Sequence, residues 1–219
     1  MKKTALLDFD DVLFDTRAFV RALKAIFVLA GLNIEECENA YQEFRDNLAK
    51  EKKQYSLEEN VNFFSEKFPK LDEAVLEEEM AVLKKEMPRF VFEDALDFLR
   101  HISDNGWQRI IVSFGDKSWQ EEKIHSCGLG SLAEKVVVSQ NKSKVDSVEE
   151  ILKNAGEAAD AIFIDDNRDE VLGLVKAKFP RVKTFQLIRP ELESIRIRHK
   201  KCDYDCRSLE EIKGLLLSA

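Results

Sequence analysis

The sequence predicts an α/β fold, a five-stranded parallel sheet with helices on both faces and a small all-α insertion after the first strand. Three observations predict it. A short apolar run, Ala5, Leu6 and Leu7, stops abruptly in Asp8, Asp10 and Asp11, the pattern of a buried parallel strand whose C-terminal end reaches a ligand-binding edge. The stretch 17–88 carries helical patterns with no convincing strand. From Phe90 onward helix and strand patterns alternate, which implies a sheet covered on both faces.

The chain has 219 residues, 44% hydrophobic and 35% charged, enough to bury an α/β core and a second, smaller module. No apolar run approaches the ~20 residues that span a bilayer. The run after Lys2 and Lys3 is cut short by Asp8, so a cytoplasmic protein is expected. A net charge of −8 argues against a nucleic-acid partner. Cys37, Cys127, Cys202 and Cys206 form no paired framework and are expected as reduced thiols. His199, Cys202 and Cys206 do not match a common zinc spacing.

Within the insertion, 18–30 is apolar on most sides and stops at Gly31, as a helix buried against two neighbours does. The segment 35–53 follows, with Cys37, Tyr41, Phe44 and Leu48 at helical spacing. Ser56 with Glu59 three residues on reads as a capping box before Leu57, Val61, Phe64 and Phe68. The segment 71–87 repeats the scheme with Leu71, Val75, Leu76, Val82 and Leu83, before Pro88.

After Pro88 a helix carries Ala95, Leu96, Leu99 and Ile102 and ends at Asn105 and Gly106. Strand 109–112 runs into Ser113, Phe114, Gly115 and Asp116. A helix through Trp119 and Ile124 stops at Gly128, and strand 135–139 follows. Asp146 with Glu149 caps the next helix, which runs to Gly156. Strand 161–164 ends in Asp165 and Asp166, and helix 171–178, strand 182–188 and helix 208–217 complete the chain.

In a parallel sheet all C-terminal strand ends share one edge, so Asp8, Asp10, Ser113, Asp165 and Asp166, with Lys142 and Lys144 in the loop after the third strand, converge on one crevice. Three or more carboxylates together repel and must protonate unless a cation sits among them. Carboxylate oxygens with room for water suit Mg²⁺. Such a site, with a Ser and a Lys, can hold a phosphate. Asp8, last on its strand, can attack phosphorus, while Asp10 can protonate the leaving oxygen, a task that needs a raised pKa.

DFDDVLFDT, Ser113 in VSFGD, the lysines of NKSKVD and IDDNRDE, in this order and on these strands, resemble the haloacid dehalogenase-like hydrolase superfamily. The resemblance covers essentially the whole chain. It implies a Rossmann-like core of 1–16 and 89–219, a helical cap domain of 17–88, and Mg²⁺ as cofactor. Carried over residue by residue, it implies Asp8 as nucleophile and metal ligand, Asp10 as general acid/base and backbone metal ligand, and Asp166 as metal ligand. Asp165 stands where many members have Gly, and Asp169 or Glu170 supplies a further acidic position. Ser113, Phe114 and Gly115 would hold phosphate together with the motif lysine. Lys144 fits that role by register, since Val148, Ile151 and Leu152 then face the core, and Lys142 is the alternative.

Asp11 and Val12 replace the commonest Gly and Thr of the first motif. Haloacid dehalogenases of the superfamily lack the second Asp, present here as Asp10, so phosphate chemistry is implied. The expected function is a Mg²⁺-dependent phosphatase of a small phosphorylated metabolite, acting through an aspartyl-phosphate. A sugar-phosphate mutase and a catalytically slow binding or regulatory protein are the alternatives.

Overall fold

The computed structural model describes residues 3–155, 160–166, 170–193 and 201–217. Its centre is one parallel sheet of six strands in the order β3-β2-β1-β4-β5-β6. These are β1 Lys3–Leu7, β2 Trp107–Phe114, β3 Lys135–Ser139, β4 Ala161–Asp165, β5 Lys183–Leu187 and β6 Tyr204–Cys206. The sequence predicts five, and β6 is the one it misses. This strand is three residues long and buries only Cys206, so it leaves no apolar run to read. It is fixed by its pairing to β5, where Phe185 stacks on Tyr204 at 4.8 Å.

β1 lies between β2 and β4, with Leu7 opposite both Ile111 and Ile164. The chain builds outward from β1 through β2 to β3, then crosses back to β4. The strand order therefore reverses between β1 and β4, the place where open α/β sheets bind ligands.

Between β1 and β2 the chain forms α1 Thr16–Leu29, α2 Ile34–Glu51, α3 Leu57–Lys67, α4 Glu73–Lys85 and α5 Glu93–Asp104. A 3₁₀ turn at Met87–Phe90 takes Pro88 in its first turn, where the missing N–H costs nothing. Side-chain caps start the helices: Asp15 accepts from the Ala18 N–H at 2.8 Å, and Ser56, the expected cap, from the Glu59 N–H at 3.1 Å. Asn33 and Glu36 form a reciprocal box. Phe27 and Phe64 stack at 3.8 Å in the middle of the insertion.

Two expected core positions turn outward. Val82 and Leu96 are exposed, and Met80 and Phe98 are buried instead. The inward stripes run Leu76, Met80, Leu83 and Ala95, Phe98, Leu99, Ile102, which keeps the three-and-four spacing of one helix face and leaves Val82 and Leu96 a step round it.

The insertion leaves and rejoins the core at one place. The Asp15 N–H donates to the Phe90 carbonyl at 2.7 Å, the Phe92 N–H to the Leu13 carbonyl at 3.0 Å, and Phe14 bridges Val91 in antiparallel sense. The remaining helices, α6 Lys117–Ser126, α7 Val145–Ala155, α8 Val171–Lys178 and α9 Leu209–Leu217, connect and flank the strands. Leu6, Ile110, Val112 and Phe163 pack with Val148, Ile151 and Leu172 on one side of the sheet. Leu7, Ile111 and Ile164 pack with Phe98, Leu99 and Ile212 on the other. Among the described residues no helix is long and apolar enough to cross a membrane.

Candidate active site

Asp8 follows β1 directly, and Asp165 closes β4 with Asp166 beyond it. The Asp8 N–H donates to the Ile164 carbonyl at 2.9 Å, so the strand pairing itself brings the acids together. One oxygen from each of Asp8, Asp165 and Asp166 lies within 4.8 Å of the others, and all three residues are buried.

Lys144 enters this group from the start of α7. Its ammonium lies 2.6 Å from Asp8 Oδ1 and 2.8 Å from Asp165 Oδ2. The residue has φ 54°, a left-handed backbone unusual for a side chain of its size. Its N–H donates to the Asn141 carbonyl at 3.2 Å and its carbonyl accepts from the Val148 N–H at 2.9 Å. α7 thus begins at Val145, one residue before the expected Asp146 cap, and the Asp146 carboxylate accepts from Asn141 Nδ2 at 2.9 Å. Val148 and Ile151 are buried, as the register argument for Lys144 requires. Lys142 is exposed at the rim. Of the two lysines, Lys144 is the one that touches Asp8.

Burial pushes the Asp8 carboxyl up. Lys144 pulls it down, but Asp165 and Asp166 add to the rise, and the result lies well above the ordinary 3.8. Burial works against the Lys144 charge, yet Asp165 and Asp8 hold it above the usual lysine value. Among the described residues, the Lys144 ammonium meets three buried carboxylates, an incomplete balance. A divalent cation coordinated by oxygen would complete it, and the donor set of Asp8, Asp165 and Asp166 fits Mg²⁺ in type and number. Glu170, an expected further acid, stands exposed at the start of α8 with φ 56°. Asp169 lies outside the described residues.

Asp10 differs from expectation. The chain after Asp8 folds into a tight turn in which the Phe9 carbonyl accepts from the Leu13 and Phe14 N–H groups at 2.9 and 3.0 Å. Asp11 takes φ 60° in it, a left-handed position that Gly fills most easily and Asp tolerates. The Asp10 carboxylate stands outside the three-acid group. It accepts from Thr16 Oγ1, from Gln120 Nε2 at 2.9 Å and from Lys123 Nζ at 2.6 Å. Burial works to raise its pKa, but the Lys123 ammonium and these hydrogen bonds prevail and hold it at about 2. The expectation of a raised Asp10 pKa from neighbouring acids is therefore overturned, because the nearest charge is a lysine.

Lys123 and Gln120 are the residues that sequence reasoning missed. Lys123 is buried, with its ammonium 5.1 Å from the Phe9 ring and 5.4 Å from the Phe14 ring. The available signal was position: Lys123 lies four residues after the buried Trp119 and next to the buried Ile124, on the inner face of α6. Gln120 Nε2 also donates to the Phe114 carbonyl at 3.2 Å. Gly115, at φ 154°, makes room for it, since a Cβ there would lie 2.7 Å from that nitrogen.

Ser113 is buried near the end of β2, and its Oγ has no hydrogen-bond partner. Phe114 is the neighbour that lines the chamber above Asp8. A buried hydroxyl without a partner is costly unless a ligand or water satisfies it. The chamber is small, about 60 Å³, and is bounded by Asp8, Lys144, Asp165 and Asp166. It adjoins a cleft of about 590 Å³ beside the insertion, with Asp10, Phe114 and Lys142 lining both. Away from the site the four cysteines form no disulfide among the described residues, with Cys202 Sγ 3.3 Å from Asp205 Oδ1; His199 lies outside the described residues.

A parallel sheet whose reversal point holds a carboxylate after its first strand, a buried lysine and an acidic pair at the end of its fourth is an arrangement suited to hydrolysis. The family model of the haloacid dehalogenase-like hydrolases matches residues 2–178, and the chain belongs to that family. No curated protein matches it by sequence. Solved structures share the fold. A haloacid dehalogenase-like hydrolase from Burkholderia xenovorans LB400 superposes with a TM-score of 0.73 at 18% identity, covering 99% of this chain and 97% of that one. The HAD-hydrolase YfnB from Bacillus subtilis, bound to magnesium, gives 0.65 at 15% identity, with 98% of each chain covered. The L-2-haloacid dehalogenase from Xanthobacter autotrophicus gives 0.63 at 16% identity, with 99% of each covered.

Proposed function

We propose that this hydrolase is a Mg²⁺-dependent phosphatase of a small phosphorylated metabolite, and that 17–88 acts as a cap over a core of 1–16 and 89–219. The observation that carries the reading is the buried group of Asp8, Asp165 and Asp166 around Lys144. Three carboxylates so close need more positive charge than Lys144 provides. Held by these acids, Mg²⁺ would supply charge stabilisation for a phosphoryl group in transfer.

The chain's own groups have definite parts. Asp8 attacks phosphorus, and its carboxylate becomes the mixed anhydride of an aspartyl-phosphate while the substrate oxygen leaves. Lys144, fixed between Asp8 and Asp165, neutralises charge beside the nucleophile. Ser113 Oγ offers the unsatisfied donor that a phosphate oxygen would accept. Asp10, ionised in this arrangement, is suited to taking a proton from the water that hydrolyses the anhydride. Its use as an acid toward the leaving oxygen would require it to leave Lys123. The insertion shields the reacting atoms from bulk water.

A second reading, a haloacid dehalogenase, is favoured by one observation: Asp10, the residue that separates the two chemistries, is neutralised by Lys123. The experiment is direct. Purified protein is expected to release phosphate from an aryl phosphate with Mg²⁺ and to stop when the metal is chelated. Release of chloride from L-2-chloropropionate, unaffected by chelation and with no phosphate released from any ester, would replace the phosphatase reading with the dehalogenase one.

A further inference from the structure

The cleft outside the chamber carries a charge that its surroundings do not explain. The chain is acidic, with a net charge of −8. Yet the 590 Å³ cleft is lined by Arg45, Lys52, Lys53, Lys123 and Lys142, against Asp10 alone among carboxylates. Lys123 pairs with Asp10 at 2.6 Å, and Lys53 with Glu51 at 2.7 Å. Arg45 and Lys52 pair with no carboxylate among the described residues; Lys52 is the C-cap of α2, Arg45 stands more than a turn before its end, and both are exposed.

A bland explanation is that cations at a helix C-terminus offset its dipole. That dipole amounts to roughly half a charge, falling off within the last turn, and Lys50, in the last turn of α2, already meets it. Arg45 lies more than a turn earlier, so the dipole does not account for it. A further observation points to a ligand. Tyr55, which lines the same cleft, buries its hydroxyl with no hydrogen-bond partner. Its ring lies 6.0 Å from the Arg45 guanidinium. A guanidinium that also bonds the Tyr41 side chain, an ammonium and an unsatisfied phenol around one cleft offer donors to an anion.

We infer that the substrate carries a second anionic group, a carboxylate or a further phosphate, at the end remote from Asp8, and that Arg45 and Lys52 bind it with Tyr55 as an additional donor. The inference rests on the phosphatase reading and names its substrate class: a phosphate monoester bearing a second anion. The cleft adjoins the chamber through Asp10, Phe114 and Lys142, so one molecule can occupy both. Charge at the far end then contributes binding energy that positions the reacting phosphate.

The test uses matched esters at three- and six-carbon spacing: the alkyl phosphate, the same chain ending in a carboxylate, and the same chain ending in a second phosphate. With Mg²⁺, kcat/KM is expected to favour an anion-bearing ester over its neutral partner by roughly tenfold to a hundredfold, the worth of one charge-assisted hydrogen bond. The better of the carboxylate and bisphosphate series identifies the anion. Arg45→Ala and Lys52→Ala are expected each to reduce that ratio by about tenfold, mainly through KM, and Arg45→Lys to retain part of it. Lys85→Ala, an exposed cation away from the cleft, should leave the ratio as it is. Equal use of neutral and anionic esters, or a ratio unmoved by both Arg45→Ala and Lys52→Ala, overturns the inference while phosphate release leaves the parent reading standing. Absence of phosphate release from every ester, the aryl phosphate included, overturns the parent reading and the inference with it.

Discussion

Replacing Lys123 by Met should expose how much of the molecule depends on the Lys123–Asp10 pair. The ammonium and carboxylate lie 2.6 Å apart, with side chains 5% and 19% exposed. Met fills much of the same volume among Phe9, Phe14 and Trp119, so the loss is chiefly electrostatic. Removing one member of a buried ion pair costs about 3–5 kcal/mol. Thr16 and Gln120 still donate to Asp10, and the carboxylate is partly solvated, so the lower end, about 3 kcal/mol, is expected. For a chain of this size that lowers Tm by roughly 6–12 °C.

Thermal and urea unfolding of the metal-free protein followed by circular dichroism would measure the effect, within a double-mutant cycle that adds Asp10→Asn. Asp10→Asn with Lys123→Met should recover much of the loss, giving a coupling of about 2 kcal/mol. The pH dependence has a definite sign. Asp10 is lowered from 3.8 to about 2, so its contribution, about 2 kcal/mol at 1.36 per unit, is present above about pH 4 and fades as pH falls toward about 2. The difference between native protein and Asp10→Asn should therefore shrink between about pH 4 and about pH 2. Additive effects within about 0.5 kcal/mol would refute the argument, because the two groups would then not be interacting in the folded state.

Other outcomes can be checked beside it. Asp8→Asn should abolish phosphate release, a loss of at least about a thousandfold, while circular dichroism stays native; undiminished turnover would remove Asp8 as nucleophile. Lys144→Met should lower kcat about a hundredfold or more by removing the cation on Asp8, whereas Lys142→Met, at the rim, should change it less than about tenfold; steady-state kinetics separates the two lysines. Burial pushes the Cys37 and Cys127 thiols up to about 11 and Cys202 to about 12, so the native protein should react slowly with a thiol-specific disulfide at neutral pH and quickly once denatured. Rapid native labelling of Cys127 would show that its pocket opens.

The strand ends were legible because acid following an apolar run is rare and conspicuous. Asp8, Asp165 and Asp166 sit where that reasoning put them, and helix register distinguished Lys144 from Lys142. β6 was not legible, since its pairing with β5 is a long-range contact that Tyr204, Asp205 and Cys206 do not announce. Lys123 was hidden for a different reason. Lysines on helices usually face water, and only the burial of Trp119 and Ile124 on the same face marks this one as internal. The Asp10 environment followed that omission: reasoning from adjacent acids alone gave the wrong sign for its pKa. Val82 and Leu96 show that apolar identity does not fix which side of a stripe a residue occupies.

The junction of insertion and core has a consequence for how such a chain can change over evolution. Residues 13–15 and 90–92 are held together by backbone hydrogen bonds, so the two chain crossings between sheet and insertion run side by side. A longer, shorter or wholly different helical segment could be grafted at that knot while the strand pairing of Asp8 to Ile164 stays in place. Where α2 lines the cleft, substitutions can reshape it without altering the strand pairing that holds Asp8 beside Ile164.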